Sequence, residues 1–380
     1  MLSFRKVAIA VGLLVVPVAG HAQGRTCKTG GLFAGSPTYK ATGEEKYPPG
    51  GIGLLDDPPL QWRTLDFAGK NLFTNTGQEI WVADLTAGKV RRIAGQENLG
   101  APRFGDGACA KARFANIHDL AVLKDGSLVV ADNAGHALLH VTDPLDPAKC
   151  AVAYLAGTRK ATDQVSYIKY GDKDGPAAEA MIGLPEWPVV DDGGNVYFVD
   201  GATGKIKQLA VDDSVTTIAQ LPRDKVQTFR GMTLIGDKLY TIGNSVAAGF
   251  VHEVDTHKGK VRQVLAATWE QMPEVGQNSA VSLSSITNDG KDLFISSSGY
   301  IWRLSPKGGK PVHVAGAGSP TEYPKTYDPE GKYAAKQLIL RYRVGDQGNL
   351  GTNTAMTFHD GSLYWRGRSD STFVLKIDCP

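Results

Sequence analysis

Short apolar runs, each broken by Gly, Asp or Asn, recur from Arg63 to Cys379, and they alternate polar with apolar positions as half-buried strands do. The clearest unit runs from Phe114 to Asp132: an apolar strand, a turn on Asp125-Gly126, and a second strand ending in Asp132. Residues Ile182 to Asp200 repeat it, with the turn on Asp192-Gly193 and the second strand ending in Asp200. Glycine supplies the positive φ that such hairpins need. Only Lys332 to Arg343 reads as a short helix.

Four weaker copies follow the same plan: Arg63–Thr74, Arg230–Gly243, Ser284–Ser296 and Thr354–Trp365. A third strand comes after each pair and usually a fourth, as in Glu79–Asp84 then Lys89–Gly95, or Tyr300–Leu304 then Pro311–Gly316. A β-sandwich also has short alternating strands. It does not explain one turn chemistry repeated six times. The pattern predicts an all-β fold, a six-bladed β-propeller of four-stranded antiparallel blades.

Gly105-Asp-Gly-Ala-Cys-Ala-Lys-Ala-Arg-Phe114 leads into the second unit, Gly171-Asp-Lys-Asp-Gly-Pro-Ala-Ala-Glu-Ala180 into the third, and Gly345-Asp-Gln-Gly348 is a fragment of another. These loops resemble those of the NHL-repeat propellers, most closely over residues 90–200. The resemblance implies the fold and leaves function open, because members differ widely in what they do. Related propellers include lyases, lactonases and hydrolases that work at the channel mouth with a central metal.

The last unit supplies two strands and then Thr372–Cys379, with no chain left for a fourth. The segment near Cys27 is expected to fill that place and close the ring. Four Cys, at 27, 109, 150 and 379, allow three pairings. Ring closure favours Cys27–Cys379, which leaves Cys109 with Cys150 and restrains a very long loop in the unfolded chain.

The chain opens on a short basic start, a nearly apolar run from Val7 to Gly20, and small residues up to Ala22. That is the pattern of a signal peptide over residues 1–22, and the run is too short to span a bilayer. Residues 23–380 are then one propeller domain, periplasmic or secreted, with disulfides suited to an oxidising compartment. Loss of Arg5 and Lys6 leaves 39 Lys+Arg against 39 Asp+Glu. A neutral chain without a polybasic run has no electrostatic footprint for nucleic acid or for a membrane surface. A closed ring hides its strand edges, so a monomer is expected.

Several motifs dissolve on inspection. His136-Ala-Leu-Leu-His140 is read on a strand, where residues four apart stand roughly 13 Å from each other and cannot chelate one ion. Ser166-Tyr-Ile-Lys169 has none of the partner motifs its chemistry requires. Asp172-Lys-Asp174 hints at a calcium loop but recurs as a turn.

Position is the better guide. Aligning the units on their turns brings Arg63, His118, Glu186, Arg230, Ser284 and Asn353 to equivalent places at the start of the innermost strands, with Asp119 and Trp187 beside them. Two Arg, a His and a Glu on one axis are costly to assemble without a ligand or mutual pairing. The candidate site is therefore Arg63, His118, Asp119, Glu186, Trp187, Arg230 and Asn353, with the arginines as forked donors to a polar or anionic ligand. A protein, a glycan or a small polar molecule is the expected partner. The alternative is a propeller enzyme with a divalent metal on the axis, but two arginines repel a cation there, and no metal ligands are assigned. Residues 318–350 interrupt the repeat between units five and six and are expected to cap the channel or to decorate the surface.

Overall fold

A computed structural model of the chain describes residues 27–34, 52–54, 62–96, 106–157, 171–277, 280–317, 333–338, 355–366 and 374–380. The expected signal segment and most of the 318–350 insert lie outside the described residues. The strands form six antiparallel sheets, one for each repeat unit. They are the blades of a six-bladed propeller.

Blade two shows the plan. Ile117–Val122 is innermost, followed outward by Leu128–Asp132, Ala137–Thr142 and Ala151–Ala156. Blade three repeats it with Pro185–Val190, Val196–Asp200, Lys205–Leu209 and Ser214–Gln220. The second strands Leu128–Asp132 and Val196–Asp200 are buried at every position, because a middle strand has a neighbouring blade against both faces. That explains runs such as Leu-Val-Val-Ala. Between blades one and two, Phe73, Ile80 and Val82 pack with Phe114, Ile117, Val130 and Leu139 in one buried cluster. Fully burying side chains of this size is worth about 1.5–3 kcal/mol each.

The sheets differ from the sequence expectation in one respect. Four of the six carry a short fifth strand on the outer edge. In blades two and three these are Gly107–Ala108 and Gly175–Pro176, from the Gly-Asp-Gly and Gly-Asp-Lys-Asp-Gly loops, which lie along the outer strand of the blade they lead into. Two residues carry no alternation, so nothing in the hydrophobic pattern marks them.

The ring closes as expected. Thr29–Ala34 pairs antiparallel with Val374–Asp378 in blade six, Thr29 facing Asp378. Disulfides join Cys27 to Cys379 and Cys109 to Cys150. In place of the predicted helix, the described part of the insert holds a strand, Tyr333–Ala334, paired with Thr29–Ala34, and a single 3-10 turn at Ala335–Gln337. Ala335 and Leu338 are buried in the cluster that contains the Cys27–Cys379 bridge, while Lys336 and Gln337 are exposed. One apolar pair three residues apart supports one turn and no more. This part of the insert seals the outer seam.

In blades one to four the residue that ends the second strand ties loops to the blade. Asp132 accepts hydrogen bonds from the backbone N–H groups of Ala115, Asn116 and Gly135. Asp200 does the same for Gly183, Leu184, Ala202 and Thr203. The buried side chain of Asn75 receives the N–H of Gly77 and donates to Thr64, and that of Asn244 bridges to both backbone groups of Leu283. These contacts fix the loops at the end of the channel where the innermost strands begin.

Candidate functional site

The innermost strands of blades two, three and four each begin with a β-bulge. The ladder passes from Ile117 directly to Asp119, from Glu186 to Val189, and from Phe229 to Gly231. His118 and Arg230 are thus the residues left out of the pairing. Glu186 is the last paired residue before Trp187-Pro188 are left out. Bulges re-aim side chains. At Trp187 the backbone takes φ 54°, a left-handed conformation that costs a non-glycine residue of order 1–3 kcal/mol. Pro188, which has no N–H to leave unpaired, fits the gap in the ladder.

These bulges bring the candidate side chains together. Nε2 of His118 stands 3.9 Å from Oε1 of Glu186. The His118 ring meets Trp187 edge-on, with centroids 4.6 Å apart. Arg63 donates from Nη1 to Oδ1 of Asn116 at 2.7 Å, and Asn116 in turn donates to Asn133. Glycines make room: a Cβ on Gly77 would fall 2.6 Å from the Arg63 guanidinium carbon, and one on Gly201 would fall 2.7 Å from the Glu186 carboxyl carbon.

Little satisfies this group internally. The His118–Glu186 separation is too long for a hydrogen bond. Among the described residues, Nδ1 of His118 and Nε1 of Trp187 are buried without a hydrogen-bond partner. Among the described residues, Arg230 makes neither a hydrogen bond nor a salt bridge. A buried polar atom left unpaired costs about 1–3 kcal/mol, so such a concentration at one place calls for a reason.

The electrostatics follow from depth and neighbours. Burial, helped by the positive charges of Arg63 and Arg230, pushes the His118 imidazole down to about 3. Its side chain nevertheless keeps 24% of its surface accessible, as expected of a ring deep in the molecule that faces an open channel. Burial pushes the Glu186 carboxyl up to about 7, opposed by Arg230 and reinforced by Asp200. Burial also lowers both arginines, without bringing a guanidinium near neutrality. At neutral pH the mouth therefore holds two cations, a neutral imidazole and a carboxyl that is about half protonated.

The other candidates fall elsewhere. Asp119, the residue after His118, is raised well above the usual carboxylate range by burial and by the like charge of Asp66 in blade one. Asp66 itself receives the N–H of Val122 and stitches blades one and two together. Ser284 is consumed within blade five, bonded to the backbone oxygen and the hydroxyl of Ser296. Asn353 lies outside the described residues, as do Ser166 and Lys169. His136 sits in a turn (φ 52°) instead of on the strand and bonds the Gly183 carbonyl, while His140 bonds the Ser127 hydroxyl at 2.9 Å. Asp172 and Asp174 are taken up by Lys205 and by the fully buried Lys207. Among the described residues no three His, Cys, Asp or Glu side chains cluster as a metal site would require.

Sequence reasoning missed Asn116 and Arg223. Asn116 precedes His118 by two positions and anchors Arg63. Arg223 donates to the Ala202 carbonyl at 3.0 Å and adds positive charge near Glu186. Gly77, two residues after Asn75, and Gly201, directly after Asp200, were the available signal, since each backs a site residue.

No protein-family model matches the chain, and no curated protein matches it in sequence. Solved structures share its architecture. The gluconolactonase XC5397 of Xanthomonas campestris is 12% identical with a TM-score of 0.52, the match covering 94% of this chain and 97% of that one. An auxiliary nutrient binding protein of Bacteroides ovatus is 13% identical with a TM-score of 0.55, covering 94% and 78%. Another from Bacteroides thetaiotaomicron is 11% identical with a TM-score of 0.56, covering 93% and 76%. At such identities the likeness is one of fold. No described helix is long and apolar enough to cross a membrane, and the two disulfides fit an oxidising compartment.

Proposed function

We propose that this chain is an extracytoplasmic NHL-type propeller that binds a small anionic ligand at the mouth of its channel. One observation carries the reading: Arg230, His118, Glu186 and the Trp187 indole N–H converge without hydrogen-bonding one another, while Arg63 is held beside them by Asn116. Two guanidinium groups take an oxyanion as charge-assisted, forked donors. A neutral His118 and a protonated Glu186 add hydrogen bonds without adding repulsion. The binding proteins among the fold relatives are in keeping with this use of the architecture, and the signal-like start and the disulfides support the location.

An enzyme is the second reading, favoured by a carboxyl near 7 beside an imidazole. A general base needs its other ring nitrogen oriented by a partner. Nδ1 of His118 has none, which supports binding over acid–base chemistry.

The test is a thermal-shift panel of small carboxylates, phosphates and sulfates against the wild-type protein and the Arg63→Ala and Arg230→Ala variants. The reading expects at least one anion to stabilise the wild type and neither variant to respond to it. Equal responses in all three proteins would overturn it.

A further inference from the structure

A second polar cavity lies off the axis, between blades three and four. It is a groove of about 680 Å³, lined by Gln220, Arg223, Lys225, His252 and Gln263 together with apolar and backbone surface. Among the described residues no carboxylate lines it. Its floor is His252, in the third strand of blade four, Gly249–Asp255. That residue is only 2% exposed. The ring stacks on Phe250, at 28° and 6.0 Å, which sets its orientation.

The walls divide by chemistry. Lys225 makes no salt bridge among the described residues, and Arg223 donates to the carbonyls of Gly201 and Ala202 and lies over the Phe229 ring, so neither cation is paired with a carboxylate there. Gln220 spends its amide N–H groups on the carbonyls of Thr203, Gly204 and Leu221, which leaves its side-chain oxygen as an acceptor. Burial and the charge of Lys225 hold His252 near 4, so at neutral pH the imidazole offers one donor and one acceptor. Exposed cations beside the Gln220 oxygen, above a buried imidazole, suit a molecule that has both an oxyanion and hydroxyl groups.

We infer that the groove between blades three and four is a second ligand site, for a small hydroxylated anion such as a sugar carboxylate or a sugar phosphate. Arg223 stands between the groove and the channel mouth, but His118, Glu186 and Arg63 do not line the groove, and His252, Lys225 and Gln263 are no part of the mouth.

NMR titration of the His252 ring tests this, with D-glucuronate and glucose 6-phosphate as probes of the two oxyanions, and glucose, acetate and inorganic phosphate as single-feature controls. A bound oxyanion beside the imidazole favours its protonated form. The expected result is a shifted His252 signal and a raised titration midpoint with at least one probe, and at least tenfold weaker effects with each control. Lys225→Gln, a change at an exposed position, should weaken the probe at least tenfold, whereas Arg63→Ala should leave it unchanged. Failure of both probes to move the signal at millimolar concentration overturns the site, as do controls that bind equally well or indifference to Lys225→Gln. Loss through Arg63→Ala would assign the binding to the mouth instead.

Discussion

Nε2 of His118 and Oε1 of Glu186 face each other across 3.9 Å, the one held neutral and the other raised to about 7, with the charges of Arg63 and Arg230 acting on the imidazole. The gap is wider than a hydrogen bond yet fits a bridging atom. It exists because His118 lies in a bulge in blade two and Glu186 opens the bulge in blade three. Two neighbouring blades thus present one residue each, on innermost strands held by their own sheets.

The pair gives opposite pH signatures. Glu186 has a folded value near 7 and an unfolded value near 4.3, so its contribution to stability is fully present below about pH 4.3 and is lost as pH rises through 7. The loss amounts to about 4 kcal/mol at most. Glu186→Gln should therefore raise Tm relative to wild type progressively between pH 5 and 8. His118 is depressed to about 3, so its contribution is present above about pH 6.5 and is lost as pH falls toward 3. His118→Gln should flatten the acid side of the curve. Calorimetry across pH 3–8 checks both.

The glycines that back the site separate seating from folding. Gly77 (φ 100°) and Gly69 (φ 57°) both strain when given a side chain, but a Cβ at Gly69 meets open space while one at Gly77 strikes Arg63. Each alanine should cost roughly 1–2 kcal/mol of stability. Only Gly77→Ala should also weaken ligand binding at the mouth, about tenfold or more. Gly201→Ala, which crowds Glu186, should weaken it as well. Urea titrations and ligand isotherms on the three variants provide the comparison.

Lys207 is fully buried, with its ammonium 2.9 Å from Asp172 and 2.6 Å from Asp174. Both carboxylates keep about a third of their surface in water, so replacing the lysine strands them less than burial would. Lys207→Met should cost about 2–4 kcal/mol, at the lower end of what breaking a buried pair costs. Urea denaturation measures this, and an effect below 0.5 kcal/mol would show the cluster to be ornamental.

The two disulfides should differ in worth. Cys27–Cys379 spans 352 residues and Cys109–Cys150 spans 41. In the chain-entropy account the longer loop stabilises by about 2 kcal/mol more. The Cys27→Ser/Cys379→Ser double variant should melt below Cys109→Ser/Cys150→Ser, because it also frees the strand that closes the ring.

Much of this fold was legible because a propeller repeats its local chemistry. Six copies of one turn fixed the blade count, and the shortage of strands at the C-terminal end pointed to the segment near Cys27, where Thr29–Ala34 is the closing strand. Residues at strand starts could be superposed by counting from the turns, which is how Arg63, His118, Glu186 and Arg230 were grouped. The bulges were not legible, since leaving out one residue alters pairing without altering the apolar pattern. Asn116 and Arg223 escaped notice because they stand in loops, where no period applies. Ser284 shows the limit of alignment: an equivalent position can be spent entirely on its own blade.

The most direct test of the central claim is native mass spectrometry of the protein secreted from living cells and purified without refolding, beside the Arg63→Ala/Arg230→Ala double variant. The account predicts a small anionic adduct on the wild type, or one restored by the anion that raises its Tm, and none on the double variant. Identical spectra and identical responses to every anion in the two proteins would contradict it.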